Sequence, residues 1–287
     1  MSLTAAPETG ESRPRTASVR SDGCDLYYED AGEGIPILLI HPAGSTASTW
    51  GSAAEELARI GRVITYDRRG YARSGGEPVR SMFTHTADAA AVLEPLRTLP
   101  AVVVGTSAGA AIATDLGVRR PDLVRAVIAH EFPWRFTRHP PTVSQVTALA
   151  KIGWLALRGR HADAAEALLR SAYTYRDGGS ARDAFPDDWR RAGRDNARSA
   201  LIDFRQLDRH LSVRGGPRNC RGPRRVHLRR AEPRQHVSPR QIARLCQHHC
   251  EHATNRRGRS RSPLRCNNEL RAADRRLHQM ISLVTEA

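Results

Sequence analysis

Between Ile35 and Ala129 the chain alternates short, continuous apolar runs with helix-forming stretches. Ile35 to Ile40 is followed by Ala53 to Ile60, Val63 to Tyr66 by Ala87 to Leu96, Ala101 to Val104 by Ala108 to Val118, and Val124 to Ala129 closes the series. Strands that are apolar at every position must be buried on both faces, and a parallel pair needs a crossover, usually a helix. This rhythm therefore predicts an α/β fold: a mostly parallel sheet with helices on both faces. Upstream, Ala17 to Val19 and Leu26 to Tyr28 flank Asp22-Gly23, a dipeptide suited to a tight hairpin turn, so two antiparallel strands should open the domain.

After Pro133 the pattern is helical only. Val143, Val146, Leu149, Ile152 and Leu155 recur every third residue, and Ala162 to Tyr173 is rich in helix formers. Trp189, Leu201, Ile202 and Phe204 continue this helical insertion, expected over 132–205 as a lid on the α/β core of 16–131. Residues 1–15 carry few apolar side chains and are expected to be disordered.

Composition breaks at Arg205. The first 205 residues hold 26 Lys and Arg against 24 Asp and Glu, whereas the last 82 hold 19 against 6 and contain no Phe, Trp or Tyr. Four of the five cysteines and seven of the twelve histidines fall in that tail. Lys151 is the chain's single lysine. The tail, 206–287, is expected to be irregular or disordered and not a native domain. No apolar run approaches the length of a membrane-spanning helix and no apolar signal core opens the chain, so a soluble cytoplasmic protein is expected.

The stretch AVVVGTSAGAAIATDL sets Gly105-Thr106-Ser107-Ala108-Gly109 between an apolar strand and a helix. A G-x-S-x-G turn in that context lifts the serine hydroxyl out at the sheet edge, and small neighbours are needed because the backbone bends sharply. The competing reading is a plain strand-to-helix connection, for example one that binds phosphate at the helix N-terminus. On the first reading Ser107 is a nucleophile.

Three stretches in this order resemble the α/β-hydrolase family over about residues 20 to 205. They are Ile37 to Gly44 with Trp50, Tyr66 to Ser74, and the elbow at Ser107. The resemblance implies a serine hydrolase acting on a small ester, lactone or related acyl substrate, without metal or organic cofactor. It also implies an oxyanion hole made by the N–H of Ala108 and one from the loop after the third strand. Pro42 stands where the family usually has glycine and has no N–H, which leaves Ala43 as the second donor. His41 matches the family's structural histidine rather than its base, and Asp67 is expected to fix the turn after its strand. Glu131 is a weak match for the triad acid, because the family's acid usually follows a later strand. Ser at the nucleophile position separates the chain from members that use Asp; cofactor-free haloperoxidases share all these elements.

A serine hydroxyl is a weak nucleophile without an imidazole to take its proton and a carboxylate to orient that imidazole. The resemblance implies two further strands after the lid, one ending near an acid and one followed by the histidine. Neither is recognisable after Arg205, so the chain as it stands is expected to be catalytically impaired and, with those strands missing, poorly stable. Read one base later, however, the codons of Pro223 to Pro233 permit a strand and glycine turn (P-V-V-C-T-Y-G-A-R-S-P), that of Arg234 permits Asp, and that of Ser260 permits His. A frameshift near Arg205 restores every missing element in order.

Taken at face value, the Arg-rich tail offers charge for a phosphate backbone. It lacks stacking aromatics and any helix-turn-helix or finger spacing, which argues against nucleic acid as a partner. Cys246, His248, His249, Cys250 and His252 match no structural zinc spacing, and no metal site is expected.

Overall fold

The computed structural model describes residues 14–96, 100–130, 143–174, 179–211 and 226–229. Seven strands form one sheet: β1 (Arg15–Ser21), β2 (Cys24–Ala31), β3 (Pro36–Ile40), β4 (Arg62–Tyr66), β5 (Ala101–Thr106), β6 (Val124–His130) and β7 (Val226–Arg229). Their spatial order is β1-β2-β4-β3-β5-β6-β7. β2 runs antiparallel to both β1 and β4, and every other pairing is parallel. The mostly parallel α/β sheet expected from the alternating pattern is present. Asp22 and Gly23 close the first hairpin with φ of 38° and 75°, the double positive turn that matches the twist of paired strands.

Three helices cross between strands: α1 (Gly51–Ala58), α2 (Met82–Leu93) and α3 (Ala108–Arg119). Leu38, Ile40, Ile64, Tyr66, Val103 and Val127 pack against Ala89, Val92 and Leu93 of α2 and Ala111, Ile112 and Leu116 of α3. Ile37 and Leu39 alternate to the opposite face and are buried as well. Each such side chain contributes about 1.5–3 kcal/mol by leaving water, which explains why these strands carry no polar alternation. Ser81 caps α2, its hydroxyl accepting the Phe83 N–H.

The helical segment comprises α4 (Val143–Leu157), α5 (His161–Ala172), α6 (Asp187–Asp195) and α7 (Ala197–Leu211). Ile152, Leu155, Ala164 and Leu168 form its core, with Leu201 and Phe204 of α7 packed on them. The three-residue stripe read from the sequence divides within α4. Val143, Val146 and Leu149 are exposed, and only Ile152 and Leu155 are buried. Steps of three residues fall short of a full 3.6-residue turn, so the stripe winds from solvent to core along the helix.

β1 takes in Arg15, the last residue of the expected irregular N-terminus. At the other end α7 continues past Arg205 to Leu211, and β7 lies within Pro223–Pro233, so regular structure reaches beyond the composition break. The remaining tail, Glu131 and the cysteine–histidine cluster from Cys246 to His252 lie outside the described residues. No helix among the described residues is long and apolar enough to cross a membrane.

Candidate active site

Ser107 sits at the junction of β5 and α3 with φ 53° and ψ −113°, a conformation that a residue with a side chain seldom adopts. Its carbonyl accepts the N–H groups of Ala110 and Ala111, and its own N–H donates to the His130 carbonyl at 3.0 Å. The Ser107 hydroxyl makes no capping bond to α3, and the residue is half-buried, so its Oγ is not consumed by the helix it begins.

The two glycines of the motif are required by close backbone approach. A Cβ on Gly105 would lie 2.1 Å from the Gly109 carbonyl oxygen, and one on Gly109 would lie 2.2 Å from the Ile40 carbonyl oxygen. Side chains at either place would push α3 away from the sheet. The register Ile40↔Gly105 sets the end of β3 beside the elbow, so the loop that begins at His41 starts next to Ser107.

Within that loop His41 is fully buried. Its Nε2 accepts the Arg68 N–H at 3.0 Å, which leaves Nδ1 protonated to donate to the Pro42 carbonyl at 2.8 Å. Burial, with the nearby Arg68 charge, pushes the imidazole well below its ordinary pKa. With both nitrogens engaged and the ring neutral, His41 holds the loop rather than moving protons. Asp67 accepts from the Ala47 N–H at 2.8 Å and from Arg73 Nε at 2.7 Å, so it ties the turn after β4 to the residues after the β3 loop. Trp50 is buried. Ala43 is half-buried and Ala108, in the first turn of α3, is buried.

A buried ionic cluster lies against this loop, and sequence reasoning did not find it. Arg68, fully inaccessible to solvent, pairs with Asp203 of α7 at 2.8 Å, and its Nη2 also donates to the Pro42 carbonyl at 3.3 Å. Tyr71 donates its hydroxyl to Asp203 at 2.7 Å and lies under the Arg68 guanidinium, 4.6 Å from its carbon to the ring centre. His85 of α2 contacts the same carboxylate at 3.3 Å. Burial opposes the charge on Asp203, but Arg68 and the hydrogen bonds from His85 and Tyr71 outweigh it and hold the carboxyl below the usual range. Tyr71 is raised well above the ordinary phenol value by burial and by the Asp203 charge. His85 and Asp203 are a histidine–carboxylate pair, yet both are buried, with side-chain exposures of 1% and 2%, which closes them to any substrate.

A second knot lies nearby. Arg69 forks onto Asp88 with contacts of 2.9 and 2.7 Å and donates to the Ser21 carbonyl at 2.7 Å, while the Ser21 hydroxyl donates to Asp88. From the helical segment, Leu169 of α5 packs on Gly44, where an added Cβ would meet its methyl carbon at 2.9 Å. Asn196 accepts the Ala72 N–H at 2.9 Å and Ser199 donates to the Gly70 carbonyl at 2.5 Å. The sheet edge at Ser107 thus has the loop of residues 41–44 beside it, and α5 packs onto that loop. His130, opposite Thr106 in the β5–β6 register, ends β6 at the same edge, and no motif in the sequence marks it.

The model of the Alpha/beta hydrolase family matches residues 37–265 of the chain. The hydrolase YraK of Bacillus subtilis is 39% identical over 115 residues, covering 38% of this chain and 41% of its own length. A non-heme haloperoxidase of Rhodococcus erythropolis is 40% identical over 92 residues, covering 31% of this chain and 33% of its own. The chain thus spans about two fifths or less of these two relatives. Among solved structures, Est816, titled an N-acyl homoserine lactone degrading enzyme, is similar with a TM-score of 0.51 at 25% identity, over 66% of this chain and 70% of that one. ALR0039 from Nostoc sp PCC 7120 shares the fold with a TM-score of 0.55 at 20% identity, over 68% and 72%. The sheet order, the strained serine between strand and helix and a family match running through most of the sequence lead to one assignment: this chain belongs to the alpha/beta hydrolase family.

Proposed function

We propose that the chain is built for serine-dependent hydrolysis of a small ester, lactone or related acyl compound, with Ser107 as the nucleophile. The observation that carries this reading is the Ser107 backbone, held at φ 53° and ψ −113° at the turn from β5 into α3, the strained setting of a nucleophile elbow. Attack of Oγ on the acyl carbon would place negative charge on the carbonyl oxygen. The Ala108 N–H, free of an intrahelical acceptor in the first turn of α3, and the Ala43 N–H are the two donors proposed for that oxyanion. The helical segment would cover the pocket, and no cofactor takes part. Similarity to Est816, an N-acyl homoserine lactone degrading enzyme, supports the substrate class.

Proton removal from Ser107 needs a base; of the three histidines described above, His41 and His85 are buried and held elsewhere, and His130 meets Ser107 through its backbone carbonyl. We propose that the acid and base lie in the other reading frame beyond Arg205 and that turnover is impaired in this chain. The abrupt charge and aromatic break at that residue supports this. Sequencing the gene across codons 200 to 210 tests the frame, and an uninterrupted frame in independent reads overturns it. A fluorophosphonate probe tests the serine: labelling should be weak in this chain, strong in the frame-restored chain, and absent in Ser107→Ala of either. A frame-restored chain whose Ser107 stays unlabelled defeats the hydrolase reading.

A further inference from the structure

We propose that Asp203 is a positioning residue for the oxyanion loop, acting through Arg68 and Tyr71 on the Pro42–Ala43 peptide. This rests on the serine-hydrolase reading, in which Ala43 supplies a donor. No cis bond occurs among the described residues, and in a trans peptide the C=O of one residue and the N–H of the next point in opposite directions. The Pro42 carbonyl is held on the buried side by two donors, His41 Nδ1 at 2.8 Å and Arg68 Nη2 at 3.3 Å. The Ala43 N–H of that same peptide therefore points away from the buried cluster. Proline offers no N–H, and the Gly44 amide lies beside the Tyr71 phenolic oxygen. Of the three residues 42–44, Ala43 is the one whose N–H this arrangement leaves facing outward.

Arg68 can remain fully buried in that role only with a counter-charge, because an unpaired guanidinium out of water is very costly. Asp203 is that counter-charge at 2.8 Å, and the same carboxylate accepts the Tyr71 hydroxyl at 2.7 Å. Asp203 arrives on α7, far along the chain from the loop it steadies. Docking of the helical segment thus completes the setting of the donor, which links the presence of that segment to the electrostatics at Ser107.

The test uses the full chain and two readouts. The first needs no turnover: 15N–1H NOE values at Ala43 and Gly44 in isotopically labelled protein. Asp203→Asn should lower both clearly while those of Val103 and Ile112 stay unchanged. Tyr71→Phe, which removes one hydroxyl and keeps the ring, should lower Gly44 and Ala43 to a smaller degree and serves if Asp203→Asn fails to fold. The second readout is aryl acetate hydrolysis by the frame-restored chain. There Asp203→Asn should reduce kcat about tenfold with KM within twofold, Asp203→Glu should recover part of the loss, and the exposed Asp122→Asn should match the parent. Unchanged loop NOE values in the folded variants overturn the proposal, as does a loss confined to KM. Failure of the serine reading shows separately, as a parent whose turnover survives Ser107→Ala, and the NOE arm still decides whether Asp203 orders the loop.

Discussion

Gly109 lies so close to the carbonyl of Ile40 that a methyl group in place of its hydrogen would stand 2.2 Å from that oxygen. Both partners are backbone, so neither can swing aside. Gly109→Ala should cost about 3 kcal/mol, at the upper end of overpacking penalties, because α3 must move off β3. Urea or thermal unfolding would measure it. A loss under about 1 kcal/mol would mean the helix and strand are not in this contact.

At Ser107 the ordinary preference for alanine over glycine in helical surroundings should reverse. A residue with a Cβ at φ 53° and ψ −113° carries strain of about 1–3 kcal/mol, which glycine relieves. Ser107→Gly should therefore be more stable than Ser107→Ala by at least about 1 kcal/mol. Both should lose all probe labelling. Equal melting temperatures for the two would remove the case for a strained elbow.

His41 makes stability depend on pH in a stated direction. Its folded-state pKa is depressed by burial, so between that value and the unfolded value of about 6.5 the unfolded chain binds a proton that the folded chain does not. Stability should be fully present above about pH 6.5 and fall as the pH drops, by up to about 1.4 kcal/mol per unit from this group. Asp203, also depressed, adds a loss at lower pH, below about 4 where the unfolded carboxyl takes up its proton. Unfolding free energies at pH 7.5, 6.5 and 5.5 in the parent and in His41→Gln would test the first part. The variant should be weaker throughout but flatter over this range.

The Arg69–Asp88 fork holds the first hairpin onto the turn after β4. Asp88→Asn leaves the guanidinium buried against a neutral amide and turns one of the two acceptor oxygens shared by Arg69 and the Ser21 hydroxyl into an NH2 donor. The expected loss is about 3–5 kcal/mol, the range for breaking one partner of a buried pair. Amide exchange should rise first in Arg15–Ser21 and Cys24–Ala31 if the knot works as described.

Much of the sheet was legible in the sequence because its strands are continuous apolar runs separated by punctuation. Leu38 and Val103 need no partner information to be recognised as buried. The elbow was legible for a similar reason, since glycine at 105 and 109 answers a local steric demand. The Arg68–Asp203–Tyr71–His85 cluster was not, because no motif or spacing in the helix that carries Asp203 marks that carboxylate as a partner for Arg68, far away in the chain. Its burial is decided by where α7 docks. The α4 stripe misled for the opposite reason: it had the right residues but a three-residue step, which no single helix face can hold over fifteen positions.

Spatial order in the sheet also dictates an order in time during synthesis. β2 leaves the ribosome paired only with β1, and its other neighbour is β4, which begins at Arg62. At about 5–20 residues per second, roughly 2–7 s pass before that partner emerges. Throughout this wait the nascent hairpin carries an open hydrogen-bonding edge, so its protection falls to whatever holds new chains at the tunnel exit.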